Sequence, residues 1–185
     1  MPATTSVFIA TSLDGFIARL DGSIDWLLQA NTLIPAGEDC GYQAFMDTVD
    51  GLVMGRKTFE QAQGFDPWPY TGKPVVVLSH QEVAVPAALR DSVSVSSESP
   101  ADLLARLSSA GARRLYIDGG QTIQGFLRAG LIDEIIITVI PVLLGAGRPL
   151  FGPLEADVAL THVETRAYPF GFVQSHYRRV QPSAA

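Results

Sequence analysis

The sequence predicts an α/β fold with a mostly parallel central sheet and helices on both of its faces. Short apolar segments alternate along most of the chain with segments of helical periodicity, which is typical of parallel sheets. The last two apolar segments are instead joined directly by a turn, which predicts an antiparallel strand pair at the C-terminal end. A chain of 185 residues is one domain by default, so residues 1–185 are predicted to form a single domain.

In the N-terminal half, these signals predict three buried strands and an intervening helix. The helix is predicted over 38–50 because its apolar residues are spaced at i, i+3, i+4 and i+7. The second strand leads directly into another helix start at the sequence GRKTFE. The residues of the apolar helix face are Tyr42, Phe45, Met46 and Val49, and the strands are 6–12, 51–54 and 73–78.

The C-terminal half continues the alternation and then ends it. Ser99 followed by Pro100 predicts a helix start, because serine caps helix ends and proline fits their first position. The polar stretch that leads into this start, from Ser94 up to Pro100, is predicted to form a loop. Gly130 is placed to end a second helix, predicted over 121–128. The strands of this half are predicted at 114–117, 134–140, 160–168 and 172–180.

The composition argues against several classes of protein. The formal net charge of −6 disfavours nucleic acid or an anionic membrane surface as a partner. One cysteine and three histidines provide neither an internal disulfide nor a metal-site pattern. The N-terminus does not resemble a signal peptide, and the most apolar run, 135–144, is too short to span a bilayer. A cytoplasmic protein that acts on a small molecule without a metal is therefore expected.

Basic residues follow the end of a predicted strand in the segment LVMGRKTF, 52–59. The strand ends at Gly55, and Arg56, Lys57 and Thr58 begin the next helix. Free backbone N–H groups and the helix dipole attract an anion at such a start, and the two cations favour a negative partner. A solvated turn with long basic side chains explains the same residues equally well.

Two adjacent glycines separate a strand from a helix in the segment LYIDGGQTIQGFL, 115–127. Gly119 and Gly120 permit positive φ and a close approach to the backbone. The helix that starts at Gln121 and Thr122 directs its N-terminus at whatever approaches, and a phosphate is one candidate. A tight turn that packs the helix against the strand is the other explanation.

The segment SLDGFIARLDGSIDW, 12–26, contains two Asp-Gly pairs, which predict a loop with two turns. Its apolar residues are unusual for an exposed loop. They predict either a lid that excludes water from a pocket or a loop that packs on the core. The apolar residues are Phe16, Ile17, Ile24 and Trp26.

The three segments follow the ends of predicted strands, and their combination is more informative than any one of them. Ligands of open α/β sheets bind at the carboxyl ends of the strands. Two anion-binding helix starts at one sheet edge suit a dinucleotide, because its phosphates occupy both.

Together these segments resemble the dihydrofolate reductase-like superfamily, and most closely its RibD C-terminal-like branch, the reductase domain of bifunctional riboflavin biosynthesis enzymes. The chain lacks the zinc-deaminase signature of the bifunctional proteins. The resemblance implies a dihydrofolate reductase-like fold, an NADPH cofactor and an activity similar to that of 5-amino-6-(5-phosphoribosylamino)uracil reductase. It is carried by SLDGFIARLDGSIDW, LVMGRKTFE, KPVVVLSH, LYIDGGQTIQGFL and LIDEIIITVIPVLLGAGRPLF.

The resemblance also implies a role for each strand end. The helix start at 55–58 would hold cofactor phosphates, with Arg56 on the 2′-phosphate, and a second strand end would line the adenosine. The double-glycine turn would hold the pyrophosphate through N–H groups that no Cβ obstructs, and two apolar side chains would lie against the nicotinamide. The phosphate-binding helix start consists of Gly55, Arg56, Lys57 and Thr58, and the adenosine end of Leu78, Ser79 and His80. The residues at the pyrophosphate are Gly119, Gly120, Gln121, Thr122 and Ile123, and those against the nicotinamide are Ala10 and Ile17.

The implied reaction is hydride transfer from NADPH to a C=N or C=O group of a small pteridine-, pyrimidine- or sugar-like substrate. Dihydrofolate reductases carry a carboxylate on the helix beyond the loop tryptophan, whereas Asn31 lies at the equivalent distance from Trp26. Asp25 is therefore the predicted catalytic carboxylate, with a surface or helix-capping role as the alternative. The alternative functions are dihydrofolate reductase itself and a non-catalytic dinucleotide-binding module.

The apolar, glycine-rich stretch PVLLGAGRPLF, 141–151, follows a predicted strand. Proteins of the family that this chain resembles often form dimers. The stretch is therefore predicted to contribute to a homodimer interface. A plain surface turn is the alternative.

Overall fold

The computed structural model describes residues 2–180 of the chain. Strands and helices alternate through these residues, and a short 3₁₀ helix, Ala87–Leu89, lies between two of the strands. In chain order the elements are β1 (Thr4–Ser12), β2 (Phe16–Ala18), α1 (Asp25–Asn31), α2 (Tyr42–Asp47), β3 (Gly51–Gly55), α3 (Arg56–Ala62), β4 (Val75–Leu78), β5 (Val93–Ser96), α4 (Pro100–Ser109), β6 (Arg114–Asp118), α5 (Gly120–Arg128), β7 (Glu134–Ile140), β8 (Arg148–Pro149), β9 (Leu160–Ala167) and β10 (Val173–Arg179).

The main sheet is parallel except at one end. Its strand order is β5-β4-β3-β6-β1-β7-β10-β9. Every pair from β5 to β7 is parallel, whereas β10 is antiparallel to both β7 and β9. Outside this sheet, β2 pairs with β8 in a two-stranded antiparallel ribbon. The predicted fold class, a mostly parallel sheet with an antiparallel C-terminal strand pair, is confirmed.

Helices cover both faces of the sheet over separate apolar cores. Val53 of β3 packs with Leu103 of α4 and Phe126 of α5, whereas the next residue, Met54, packs with Phe59 of α3. Because successive strand residues point to opposite faces, the two cores lie on opposite sides of the sheet. Full burial of one such large apolar side chain contributes about 1.5–3 kcal/mol.

The predicted helix-end signals are confirmed. The Ser99 hydroxyl accepts the backbone N–H of Asp102 at 3.2 Å, and Pro100 occupies the first position of α4. Gly130 lies just beyond the end of α5. These ends are predictable because each depends on hydrogen bonds within four residues of the chain.

The helix predicted over 38–50 is shorter, Tyr42–Asp47. Its start is delayed by a turn in which the Asp39 carboxylate accepts the N–H of Gln43 at 2.8 Å. The spacing still identifies the buried face correctly, since Phe45, Met46 and Val49 are all buried.

The loop predicted over 94–100 is in part a strand, because β5 (Val93–Ser96) pairs with β4 at the sheet edge. Ser94 and Val95 are exposed, so the strand has no run of buried apolar residues that the sequence could reveal. The short strands β2 and β8 are likewise not predicted, because their pairing with each other defines them.

No helix within residues 2–180 is long and apolar enough to cross a membrane. The same residues contain no group of three or more His, Cys, Asp or Glu side chains that could hold a metal ion. The cytoplasmic location stays a prediction.

Candidate functional site

The three segments that stand out in the sequence meet at one cleft. This cleft has a volume of about 1510 Å³. Its lining includes Ala10 of β1, Leu78 of β4 and Asp118 of β6, together with the first residues of α3 and α5. The cleft therefore lies at the carboxyl ends of the parallel strands, where α/β folds bind their ligands.

Helices α3 and α5 start side by side, and each start packs against the other. The N-cap of α3 is Gly55 and that of α5 is Gly119. A Cβ on Gly119 would lie 2.2 Å from Oγ1 of Thr58, and one on Gly55 would lie 3.0 Å from Oγ1 of Thr122. Each threonine is the third residue of its helix. The space left by each glycine is thus occupied by the threonine of the other helix.

Packing within the protein is sufficient to explain the double-glycine turn. Gly119 has a φ of +86°, which L side chains rarely adopt, and a Cβ on Gly120 would lie 2.7 Å from Cδ1 of Ile17. The close approach that the sequence indicates is made by α3 and β2. No side chain caps the start of α5, so the N–H groups of its first turn are available at the cleft edge. Their role with a phosphate stays a prediction.

Two cations lie on the wall formed by α3. Arg56 donates through Nη1 to Oε1 of Glu60 at 2.6 Å, one turn along the helix. Lys57 is exposed, and it forms no ion pair with any residue that the structure describes. Because Glu60 offsets part of the Arg56 charge, Lys57 and the remaining Arg56 donors provide the positive potential of this wall.

All but one of the predicted cofactor residues line the cleft. Ile123 is the exception, since it is fully buried in the core between α5 and the sheet. Their individual roles toward a ligand stay predictions. The residues that line the cleft are Ala10, Ile17, Gly55, Arg56, Lys57, Thr58, Leu78, Ser79, His80, Gly119, Gly120, Gln121 and Thr122.

Asp25, the predicted catalytic carboxylate, does not line the cleft. It is the first residue of α1, its side chain is 63% exposed, and it forms an ion pair with Nε of Arg19 at 2.6 Å. The hydrogen bond from Arg19 lowers the pKa of Asp25 below its ordinary value. The catalytic role of Asp25 stays a prediction, and this placement gives it no support.

The loop after β1 combines features of a lid and of a packed loop. Ile17 and Ile24 line the cleft, whereas Trp26 is buried in a core cluster with Tyr168 and other residues. Asp14 joins this loop to the one after β7, because its carboxylate accepts the N–H of Gly145 at 2.7 Å. The cleft rim is therefore held in place by polar bonds as well as by the β2–β8 pairing.

A carboxyl inside the cleft was not among the predicted catalytic or cofactor-binding residues. Asp118, the last residue of β6, accepts the N–H of Gly119 at 2.8 Å and the hydroxyl of Tyr70 at 3.3 Å. Burial raises the pKa of Asp118. Its position beside the glycines was visible in the sequence, but its contact with Tyr70 was not, because no local pattern links residues 48 positions apart.

A mostly parallel sheet with a large cleft at the carboxyl ends of its strands defines an α/β domain of the kind that binds small ligands at this edge. The chain belongs to the RibD C-terminal domain family, whose model matches residues 3–173. This match confirms the resemblance that the sequence motifs indicate.

Relatives cover nearly the whole chain. The uncharacterised protein YwjB of Bacillus subtilis is 38% identical over 183 residues, 97% of this chain and 99% of its own. A structure from Shewanella sp. PV-4, provisionally assigned to riboflavin biosynthesis, is 44% identical, has a TM-score of 0.89 and covers 96% of this chain and 99% of that one.

A distant solved structure shares the fold. It is a diaminohydroxyphosphoribosylaminopyrimidine deaminase/5-amino-6-(5-phosphoribosylamino)uracil reductase from Thermotoga maritima, 14% identical with a TM-score of 0.74. The match covers 97% of this chain but 57% of that one, so this chain corresponds to about half of the longer protein.

Proposed function

We propose that the protein is an NADPH-dependent oxidoreductase that transfers a hydride to a C=N or C=O group of a small pteridine-, pyrimidine- or sugar-like substrate. The observation that carries this proposal is the cleft in which the interlocked starts of α3 and α5 lie beside Arg56 and Lys57. Membership of the RibD C-terminal domain family supports an oxidoreductase. The second activity in the name of the Thermotoga maritima protein suggests a pyrimidine of that type as the substrate.

The residues of the cleft fit a dinucleotide. Pockets for one small ligand occupy about 300–1,000 Å³, so a cleft of about 1510 Å³ has room for a substrate beside the cofactor. The two cations and the uncapped start of α5 match phosphate groups in charge and hydrogen bonding. Ala10 and Ile17 offer apolar surface to a flat ring.

When bound, NADPH supplies the hydride. In this proposal Arg56 and Lys57 hold its 2′-phosphate, and the first N–H groups of α5 hold the pyrophosphate. Ser79 and His80 line the adenosine end of the cleft. Ile17 and Ile24 cover the reacting end, where they exclude water and keep the two ligands aligned.

Arg56→Ala is expected to weaken NADPH binding by about 1.5–3 kcal/mol, because it removes a charge-assisted contact with the 2′-phosphate. The corresponding loss of affinity is roughly 10- to 150-fold. NADH lacks that phosphate, so its affinity should change little. Titrations of purified protein with each cofactor, followed by tryptophan fluorescence or heat, measure both effects.

The matched control is Arg128→Ala, since Arg128 is exposed on the last turn of α5 and does not line the cleft. It should leave both affinities unchanged. Equal weakening of NADPH and NADH by Arg56→Ala would contradict the role given to Arg56. If the wild-type protein bound neither cofactor, the proposed function would be wrong.

Turnover measurements separate the alternative functions. NADPH oxidation with 5-amino-6-(5-phosphoribosylamino)uracil supports the proposal, whereas oxidation with dihydrofolate alone supports a dihydrofolate reductase. Cofactor binding without oxidation across carbonyl, imine and pterin substrates supports a non-catalytic dinucleotide-binding module.

We also propose that the protein forms a homodimer. Strand β9 is one of the two edge strands of the main sheet and is exposed along its whole length. Unpaired edges of this kind pair readily with another chain, and Leu160 and Val163 add exposed apolar surface. Leu143 and Phe151, in the stretch predicted as an interface, are also exposed. Light scattering after size exclusion should give twice the chain mass of 19.8 kDa, and a single-chain mass would contradict the dimer.

A further inference from the structure

One cation of the cleft lies apart from the α3 wall. Arg148 lines the cleft and is half-buried on β8. β8 pairs with β2, which belongs to the loop after β1. The Arg148 guanidinium donates through Nε and Nη2 to the carbonyl oxygen of Leu20, at 3.2 and 3.1 Å. Arg148 therefore connects β8 with the segment that leads into the second Asp-Gly turn of that loop.

Gly22 makes room for the guanidinium at this turn. A Cβ on Gly22 would lie 3.1 Å from both Cζ and Nη1 of Arg148 and 3.2 Å from Nη2. Because the three distances are nearly equal, the plane of the guanidinium faces the Gly22 backbone. Gly22 also lines the cleft. One carbonyl and one glycine thus hold the guanidinium at the cleft rim.

The positive charge of Arg148 has no counter-ion among the residues that the structure describes, with which it forms no ion pair. The acidic residues beside this turn have other partners. Asp25 pairs with Arg19 at 2.6 Å, and Asp21 accepts the N–H of Ser23 at 2.8 Å. An arginine has five N–H donors. Two of them bond to the loop carbonyl, so three are left for a ligand.

The surroundings of Arg148 adjoin both ends of the proposed reaction site. The carbonyl oxygen of the next residue, Pro149, lies 3.6 Å from the position of a Cβ on Gly120, at the start of α5. The proposed function assigns the pyrophosphate to this start. On the loop side, Gly22 is two residues from Ile24, which covers the proposed reacting end. Each of the two proposed ligands therefore has a part close to Arg148.

We propose that Arg148 is an anion-binding residue whose free guanidinium donors bind a phosphate group of a ligand in the cleft. This inference rests on the proposed function. The phosphate belongs either to the pyrophosphate of NADPH or to the substrate. Phosphate matches the planar fork of an arginine, which donates two parallel N–H···O bonds. Because the same guanidinium holds the Leu20 carbonyl, phosphate binding also fixes the loop after β1 at the cleft.

The pyrophosphate is tested as the source by titration of purified Arg148→Ala with NADPH and with NADH. Both cofactors carry the pyrophosphate, so both affinities should fall by roughly 10-fold or more. This pattern differs from that of Arg56→Ala, which should weaken NADPH alone. The control is again Arg128→Ala, since Arg128 is exposed and does not line the cleft.

The substrate is tested as the source by kcat/KM with 5-amino-6-(5-phosphoribosylamino)uracil and with its dephosphorylated form. If the substrate provides the phosphate, Arg148→Ala should lower kcat/KM by roughly 10-fold or more with the phosphorylated compound only. The affinities for NADPH and NADH should then stay unchanged. Unchanged cofactor affinities together with an unchanged preference between the two compounds overturn the proposal.

Two conservative variants separate anion binding from a merely structural bond to Leu20. Arg148→Lys keeps the charge, whereas Arg148→Gln keeps a neutral donor for the carbonyl. Phosphate binding depends on the charge, so Arg148→Lys should retain more of the affected affinity or kcat/KM than Arg148→Gln does. Equal losses in these two variants would mean that only the bond to Leu20 matters, which overturns anion binding.

The outcomes separate this inference from the proposed function. Normal cofactor affinities and substrate preference in Arg148→Ala overturn anion binding and leave the reductase function standing. Wild-type protein that binds neither cofactor refutes the proposed function itself, and the role of Arg148 with it. If wild-type protein binds NADPH but turns over neither uracil compound, unchanged cofactor affinities in Arg148→Ala are sufficient to overturn the proposal.

Discussion

Replacing Gly119 with alanine is expected to destabilise the protein by about 2–4 kcal/mol and to abolish NADPH binding. A Cβ at this position would lie 2.2 Å from Oγ1 of Thr58, and the backbone φ is +86°. The substitution therefore combines steric overlap with backbone strain. Because relief of the overlap forces apart the starts of α3 and α5, the proposed phosphate site is disrupted as well. Urea unfolding measures the loss of stability, and the NADPH titration measures the loss of binding.

Two further variants separate the causes. Gly125→Ala, within α5, is the control for stability, because the nearest atom to its Cβ is Cγ of Pro100 at 3.9 Å. Alanine there should stabilise the helix by up to about 1 kcal/mol. The double variant Thr58→Ala/Gly119→Ala removes most of the overlap and keeps the strain, so it should recover part of the lost stability. A Gly119→Ala protein as stable as the wild type would contradict the interlocked arrangement.

Replacing Glu134 with glutamine is expected to lower the free energy of unfolding by about 2–4 kcal/mol. The carboxylate of Glu134 is 11% exposed and pairs with Arg114 at 2.6 Å and Arg178 at 3.1 Å. Glutamine keeps the shape of the side chain but leaves Arg114, 26% exposed, without its anion. Removal of one partner from a buried pair costs about 3–5 kcal/mol, and the partial exposure of Arg114 reduces that cost.

Arg178→Ala is the comparison, because the Arg178 side chain is 60% exposed and its loss should cost less than about 1 kcal/mol. Urea unfolding of both variants measures the difference, provided that the m-value is unchanged. Glu134 begins β7, at the end of the parallel sheet opposite the cleft. The folded Glu134→Gln protein should therefore bind NADPH normally. Equal loss of stability in both variants would contradict this account.

The fold class was predictable because its signals are local. Residues 135–140 of β7 are a continuous run of apolar and β-branched residues, and the start of α4 is marked by Ser99 and Pro100. Where pairing with a distant segment defines an element, as for β2 and β8, the chain carries no such signal. The helix predicted over 38–50 was too long because its first residues form a turn, in which the Asp39 carboxylate accepts the N–H of Gln43, and periodicity does not detect such a turn.

The candidate cleft was partly predictable for a similar reason. Residues such as Arg56 and Gln121 directly follow strand ends, and the ends of parallel strands meet at one edge of a sheet. The contact of Asp118 with Tyr70 crosses 48 positions of the chain. Such a contact depends on the order of the strands and on the path of the loop before β4.

Local patterns were thus sufficient to identify most of the elements, the start of α4, the end of α5 and the segments that line the cleft. The packing of distant segments established the rest: Thr58 occupies the space beside Gly119, Asp118 lies in the cleft, and Asp25 faces solvent beside Arg19. The physical reason is that hydrogen bonds and periodicity act over a few residues. The approach of α3 to α5, by contrast, follows from the sheet order, in which β3 lies beside β6.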